Sequence, residues 1–346
     1  MHRSAGLIMV MLGAFCLAFA PLLKFYVSYE VIAAPTGNFW LSTTLKAQNA
    51  SYFDGSTGKV RTGVELVATN TTRGDAQSST DKVAVWDNFV SFRDPQTGQD
   101  VQIQGRRMAF DRRTGELIMC CGAAVDQDTS VRQSGLGLMW PLGDVQKRSY
   151  PYFDQTTKRA WPMVYSGTEK VRGLTTYKFV ETIPETFVGA LPGNLPPATL
   201  GLPKKNPGVT LDKNGNAAVD QYFGAVVTMW VDPRTGIPVA QNEKISATGY
   251  TKDRKGHVLL TNAELKTTDA DVTKLIKMAN DDAWQFAAVR DWGPVVSLIA
   301  GLFFLITGAT RMLIDPDRPR KHHKGAIPIP VEKPKQPRRL SRSGRR

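Results

Sequence analysis

The sequence predicts a mainly β (α+β) protein, an antiparallel, hairpin-built domain held between N-terminal and C-terminal transmembrane helices. Three observations predict it. Uncharged runs lie near both ends, Ser4–Leu23 and Trp292–Thr310. A turn signature, Asp-x-x-Thr-Gly, recurs between them, beginning at Asp54, Asp94, Asp111 and Asp232. Short runs of β-branched and aromatic residues flank those turns, as antiparallel pairing requires.

The C-terminal run, Trp292–Thr310, holds nineteen residues without a charge. At ~1.5 Å per residue it reaches ~28 Å, close to the ~30 Å hydrocarbon core of a bilayer. Asp291 and Trp292 close one end and Arg311 the other, and Trp is favoured at membrane interfaces. A helix is therefore expected over residues 292–313. The tail beyond it is basic. Arg311–Arg346 holds twelve Lys and Arg against Asp315, Asp317 and Glu332. Of the chain's formal charge of +13, the stretch Lys24–Thr310 carries only +3. That concentration beside an apolar helix is the positive-inside pattern, with residues 314–346 expected as a disordered cytoplasmic tail. A juxtamembrane location accounts for the charge, so no nucleic acid is expected as a partner.

At the other end, Ser4–Leu23 has the basic start and the Ala18-Phe19-Ala20 site of a secretory signal. Pro21 comes directly after that site. The apolar run also continues into an aromatic flank of Phe25, Tyr26 and Tyr29. These features favour an uncleaved helix over residues 1–28, kinked at Pro21. Both termini are then cytoplasmic, and residues 29–291 form an extracytoplasmic domain of a two-helix plasma-membrane protein. Ala14/Ala18 and Ser297/Gly301 are small residues four apart that would let the helices approach.

The hairpins carry that domain. In each signature Asp caps a type I turn and Gly supplies the positive φ of a bulge. Phe89–Phe92 and Val101–Ile103 flank one turn, Arg107–Phe110 and Leu117–Met119 the next, and Val226–Val231 and Ile237–Val239 the last. Pro184–Leu211 carries Pro184, Pro192, Pro196, Pro197, Pro203 and Pro207, and is expected as a long apolar surface loop, neither central strand nor helix. Ser134–Gly143 is similarly apolar and Gly-rich. Before the membrane, Thr268 and Asp271 resemble a capping box. Val272, Leu275, Ile276, Ala279, Ala283, Phe286 and Ala287 then recur at helical spacing, so an amphipathic helix is expected over 268–290.

Chemistry is sparse. His257 is the one histidine of the outer domain. No paired-His metal spacing and no Gly-x-Ser-x-Gly elbow exists, so no catalytic residue, metal or cofactor is expected. Asp212–Asp220 departs from a calcium loop at Ala217 and Phe223 and reads as an Asn214-Gly215 turn. Cys16 falls in the first helix. Cys120 and Cys121 are adjacent, and their Cα separation of ~3.8 Å allows a vicinal disulfide only with a distorted turn; two packed thiols are the alternative.

Ser149–Asp154, Val164–Phe179 with Glu181–Pro184, and Trp230–Val239 resemble the actinobacterial PorA-like family of unknown function, two-helix envelope proteins. The resemblance includes the two-helix layout and implies an actinobacterial cell envelope. The layout is also similar to that of the class B scavenger receptors, with a β-rich outer domain and a greasy passage between two helices. By that analogy, the outer domain is expected to bind or transfer a lipid or other apolar ligand. Contact candidates are Leu138, Met139, Trp140, Tyr150, Tyr152, Phe153, Trp161, Tyr165, Phe187 and Leu191, and membrane lipids are the expected partners. The alternative is a non-catalytic scaffold for envelope proteins, through a protein partner or a homo-oligomer. An extracytoplasmic enzyme would show clustered carboxylates with perturbed pKa values in a cleft, and a channel would require an oligomer.

Overall fold

The structure is a computed structural model that describes residues 2–37, 39–203 and 207–314. The basic tail, 315–346, lies outside the described residues. Two compact units result, one from the described residues of Met1–Phe15 and Ala300–Arg346, the other from Cys16–Ile299.

The first unit is a pair of helical segments, from α1 (His2–Pro21) and from the last helix of the chain, Gly293–Ile314. They meet on glycines. A Cβ on Gly13 would stand 2.8 Å from the Gly301 carbonyl, and one on Gly308 2.9 Å from the Gly6 carbonyl. Close backbone approach of this kind drives association where no hydrophobic force separates helix from lipid. Ala14 and Ala18 are exposed, so the expected Ala14/Ala18 face is not the contact. Leu7, Phe15, Phe303 and Ile306 are also exposed, as suits lipid-facing positions. Both terminal helices are candidate membrane spans by length and apolarity.

In the second unit, α1 passes Pro21 into a π-helical turn, Leu22–Val27, and a short α2 (Ser28–Val31). Among the described residues, twelve strands come next in one antiparallel sheet. They are β1 (Trp40–Asp54), β2 (Lys59–Gly74), β3 (Val83–Asp94), β4 (Gln99–Asp111), β5 (Leu117–Ile118), β6 (Ala124–Val125), β7 (Tyr150–Asp154), β8 (Arg159–Val171), β9 (Leu174–Ala190), β10 (Asp220–Val231), β11 (Pro238–Tyr250) and β12 (His257–Thr267). Helix α3 (Asp269–Ala287) leads through a π turn into α4 (Gly293–Ile314). The spatial order is β5-β4-β3-β2-β1-β12-β11-β10-β9-β8-β7, with β6 also paired to β4. Two meanders therefore lie side by side, joined where β1 meets β12. Leu45 opposes Thr267 there, which brings the start of β1 and the end of β12 to the same end of the sheet. That end carries α2 and α3.

The sheet curls into a half-barrel, and Gly135–Leu136 ties its two outer edges together. Leu117 donates to the Gly135 carbonyl, Leu136 donates to the Pro151 carbonyl, and Phe153 donates to the Leu136 carbonyl. Inward residues alternate as a pleated strand dictates: Phe223, Ala225, Val227, Met229 and Val231 of β10 are all buried. Ser134–Gly143 runs inside the half-barrel and is not a surface loop like the one expected at Pro184–Leu211. Leu136 and Trp140 are fully buried, and Trp140 packs on Phe179 at 4.4 Å between ring centroids.

The four signature turns form as expected. Gly58, Gly98, Gly115 and Gly236 all take φ between 66° and 79°. Asp54, Asp94, Asp111 and Asp232 each accept backbone N–H bonds from the turn. Asp154-Gln155-Thr156-Thr157-Lys158 makes a fifth such turn, with Lys158 at φ 55° in the glycine's place. The amphipathic helix is capped by the Thr268 side chain and buries Val272, Leu275, Ala279 and Phe286. The Asp212 carboxylate accepts from Asn214 and Asn216, as a turn and not a calcium loop.

Pro184–Leu211 differs from the expectation of a loop beginning at Pro184. β9 runs through Pro184 to Ala190 and pairs with β10 on both sides of a bulge, Ile183 with Ala225 and Thr186 with Phe223. The proline is tolerated because the β8–β9 pairing stops short of it, at Met163 with Glu181, while Arg159–Pro162 of β8 pair with β7 alone. Beyond it, a 3₁₀ turn at Pro197–Leu200 buries Leu200 against Ala217, Val219 and Val258. The segment thus builds a small core of its own at the end of the sheet away from α3.

Gly135 has φ 76°, and a Cβ there would stand 2.4 Å from the Pro151 carbonyl oxygen. Gly215 has φ 79° with nothing within 4 Å. We expect G215A to cost about 1 kcal/mol, from left-handed strain alone, and G135A at least ~3 kcal/mol once the clash adds overpacking. Denaturant unfolding of the detergent-solubilised chain measures both; equal costs would mean that this segment does not hold the edges.

Candidate functional site

The inward faces of the strands do not fill the half-barrel. Two cavities occupy it, of about 520 and 440 Å³. They share Leu45, Asn70, Leu138, Tyr152, Met229 and Gln241 in their walls, so they adjoin. The larger reaches Phe53, Leu191, Pro192 and Leu260, toward the end away from α3. The smaller reaches Val31, Ala33–Pro35, Leu275, Met278 and Phe286, among α2 and α3. Together they run along the lumen from one end of the sheet to the other.

The larger cavity is amphipathic. Its apolar wall includes Phe92, Val101, Phe223, Val227 and Ile245. Its polar wall holds a charged cluster that no local pattern brings together. Val227 of β10 opposes Glu181 of β9 on one side and Glu243 of β11 on the other. The two glutamates therefore sit on the same inward layer, two strands apart, about 10 Å between backbones. Glu181 is only 2% exposed and packs beside the fully buried Met163. Asp154 enters from the fifth turn, where its carboxylate accepts from the Thr157 N–H and hydroxyl at 2.6 Å.

Arg106 of β4 faces this wall. Its Nε donates to Gln133 Oε1 at 2.7 Å, and its guanidinium lies over the Phe153 ring at 4.8 Å. Gln133 is fixed in turn by donating to the Arg107 and Ala124 carbonyls. Gly137 leaves room for the guanidinium, since a Cβ there would come within 3.0 Å of Nη2. Asn88, beside Arg106 in register, donates to Asn70 and Thr72 and continues the polar band.

Burial decides the protonation of these groups. It raises Glu181 to about 8, with the charges of Asp154 and Glu243 adding to it. It raises Glu243 to about 7, with Asp154 adding and a hydrogen bond from Gln241 opposing. Asp154 is raised by burial against the pull of Thr157. Arg106 is lowered to about 10 by burial, partly offset by Tyr152 and Asp154, and stays cationic at neutral pH. The lumen thus holds carboxyl groups that change charge near neutrality beside a permanent cation.

Of the sequence-based contact candidates, Leu138, Tyr152, Phe153 and Leu191 line the larger cavity, and Leu138, Met139 and Tyr152 the smaller. Trp140 and Tyr150 are packed in the core. Trp161 and Tyr165 pack against that core without lining either cavity, and Phe187 is exposed. Arg106, Glu181 and Glu243 escaped the sequence reading. Their signal is the break in an inward alternation, as in Phe179-Val-Glu181-Thr-Ile183. The sulfurs of Cys120 and Cys121 face each other as a vicinal pair, with Cys121 at φ 59°, and line neither cavity. Among the described residues, no group of three or more His, Cys, Asp and Glu could hold a metal ion.

The raised carboxyls make stability fall with pH. The folded chain holds protons on Glu181 and Glu243 that the unfolded chain releases near pH 4.5. Their stabilising contribution is complete below that pH and is lost as pH rises through 7 to 8. Each group contributes a slope of up to ~1.4 kcal/mol per pH unit. E181Q should flatten the decline between pH 5 and 8 in thermal or denaturant unfolding. An unchanged slope would place that carboxyl in water.

The comparisons with known proteins agree with the layout. A protein from Corynebacterium amycolatum described as Porin PorA is 26% identical over 188 residues, covering 50% of this chain and 46% of the relative. The chain thus matches less than half the length of that curated relative. The family model described as Porin PorA matches residues 5–310, from the first helix to the last, and the chain belongs to that family of membrane and envelope proteins.

Proposed function

We propose that the chain is a two-helix protein of the actinobacterial plasma membrane, with both termini cytoplasmic and residues 29–291 outside. Its lumen holds the apolar part of a lipid, or of another apolar envelope component, and passes it along the half-barrel. One observation carries this reading, the pair of adjoining cavities. Their volumes of about 520 and 440 Å³ fall in the range of ligand sites. The smaller is the more apolar and opens among α2 and α3, the elements that lead to the two candidate spans. An acyl chain entering there would travel toward the polar band. The proposed contacts are Leu138, Met139, Tyr152, Phe153 and Leu191, which line the cavities, joined by Phe92, Met229 and Phe286. The function is binding and transfer.

The alternative of a scaffold with a solid core loses support from the cavities. The porin name, carried by both the relative and the family, suggests passage through a membrane. The outer wall of this half-barrel carries ion pairs, Lys46 with Glu65, and Glu264 with Lys244 and Lys266. A lipid-facing barrel needs an apolar band there. The charged wall supports a barrel that stands in water and carries its passenger inside.

Native mass spectrometry with lipid extraction, on the full chain in mild detergent, tests the reading. We expect a stoichiometric lipid on the wild-type chain. Ala240 lines the smaller cavity and Ala247 the larger. A240W and A247W should fill them and lower lipid occupancy several-fold while the sheet stays folded by circular dichroism. Undiminished lipid on both variants would place it on the apolar helices and sink the lumen reading.

A further inference from the structure

Cys120 and Cys121 form a disulfide between neighbours in sequence, with Cα atoms 3.8 Å apart. Ordinary disulfides span about 4.4–6.8 Å. An adjacent pair closes no loop of chain, so it supplies little of the loop-closure stabilisation that other disulfides give. It joins no two elements of the fold either. Its effect falls on the turn that contains it. The Ala123 N–H donates to the Cys120 carbonyl at 2.9 Å, and the two residues between, Cys121 and Gly122, take φ 59° and 76°. Two positive φ values mark a type I′ turn, whose first central position normally takes Asn, Asp or Gly. Cys121 stands in that place. A free cysteine has no local hydrogen bond to offset the left-handed backbone there, so the bond to Cys120 accounts for the conformation.

The turn holds an arginine. The Cys121 carbonyl accepts from Arg107 Nε at 3.1 Å, and a Cβ on Gly122 would stand 3.6 Å from that nitrogen. Arg107 Nη1 donates to Asp87 at 2.9 Å, and Nη2 donates to Asp75 and Ser78. One guanidinium therefore joins β3, the Asp75–Ser79 turn before it and the cysteine turn. Cys121 and Gly122 are exposed and Cys120 is half-buried, so a reagent in water reaches this corner. Exposed or strained disulfides are the readily exchanged ones. We propose that Cys120–Cys121 is a thiol–disulfide exchange site, opened by a dithiol, and that its opening unclasps Arg107 from the cysteine turn. A thiolate of the dithiol attacks Cys121 Sγ. The Sγ–Sγ bond breaks, and its electron pair leaves on Cys120 Sγ, which takes a proton from water. The second thiol, once deprotonated, attacks the dithiol's own sulfur in the mixed disulfide and expels Cys121 as a thiolate, which is protonated in turn. The pair gains two electrons and two protons, and the dithiol becomes a cyclic disulfide. Cys121 is then free to leave the left-handed region, and its carbonyl turns away from Arg107 Nε. Neither cysteine lines a cavity, so the site does not depend on what the lumen holds.

The test uses the full chain in mild detergent. Iodoacetamide labelling with peptide mass spectrometry counts free thiols at Cys120 and Cys121, and reads Cys16 separately on its own peptide. We expect no labelling of the pair after mild oxidation with diamide, and labelling of both cysteines after dithiothreitol without denaturant. Hydrogen exchange then reads the clasp. Reduction should speed exchange across residues 75–79 and 120–123 by about tenfold, the scale of one charge-assisted hydrogen bond, and leave β10 and β11 unchanged. C121G keeps a left-handed residue in the turn, so its exchange should match the oxidised chain and ignore dithiothreitol. C120S/C121S should match the reduced chain. Thiols that stay free under diamide would overturn the proposal, as would a disulfide that dithiothreitol opens only in the denatured chain. Opening with no change at residues 75–79 would overturn the unclasping of Arg107. The wild-type comparison needs no substitution, so it stands even if a variant fails to fold.

Discussion

The contact on which the rest depends is the hydrogen-bonded seam at Gly135 and Leu136. An antiparallel sheet of twelve strands has two edges, and open edges template pairing with other chains. Here one short segment bonds Leu117 beside β4 and Pro151 and Phe153 in β7, which turns a curled sheet into an enclosure. The seam also positions the residues after it. Gly137 stands against the Arg106 guanidinium, Leu138 lines both cavities, and Trp140 fills one side of the lumen against Phe179. Without the seam the polar atoms of the lumen would face water and their pKa values would return toward ordinary ranges. A lumen lined by buried and partly charged side chains is a consequence of that closure.

Within it, the position of the charged groups is set by strand register. A residue on the inward face of a barrel is buried by geometry, whatever its chemistry, so a glutamate there carries a desolvation cost. Glu181, flanked by Met163 and Val227 across the ladder, bears that cost by holding its proton up to about pH 8. Arg106 cannot neutralise itself in the same way and instead stacks on Phe153 and donates to Gln133. A core built only for stability would have replaced these groups with aliphatic ones at little loss, since buried ionic groups are weak stabilisers. Their presence in the cavity wall is therefore not explained by stability alone.

What was legible in the sequence divides along the range of the interactions. Hairpin turns are local, and the four Asp-x-x-Thr-Gly turns could be read off directly; the fifth was missed because Lys158 takes the left-handed place that glycine marks elsewhere. The amphipathic helix and its Thr268 cap were equally local. Pro184 misled, because a proline is forbidden in a strand only where a neighbour needs its N–H, and whether β8 stays paired with β9 that far is a tertiary fact. The lumen cluster was out of reach for the same reason. Arg106, Asp154, Glu181 and Glu243 come from β4, the end of β7, β9 and β11, and only the ladder aligns them. The aromatic residues that seemed the natural ligand contacts divide between cavity wall and core, because hydrophobicity alone does not distinguish a side chain facing a void from one facing another side chain.

The two cavities differ in chemistry, and that difference gives the lumen a direction. At the end among α2 and α3 the walls are mainly aliphatic and aromatic, with Val31, Trp86, Leu142, Met278 and Phe286 around the space. Toward the other end the walls become mixed, with Asn88, Arg106, Glu181 and Glu243 opposite Phe92 and Val227. A wholly apolar passenger would leave the polar band unsatisfied, and a wholly polar one would leave the aliphatic end wetted by nothing it can bond. The chemical gradient of the lumen therefore runs along its axis, from the mainly apolar end among α2 and α3 to the polar band.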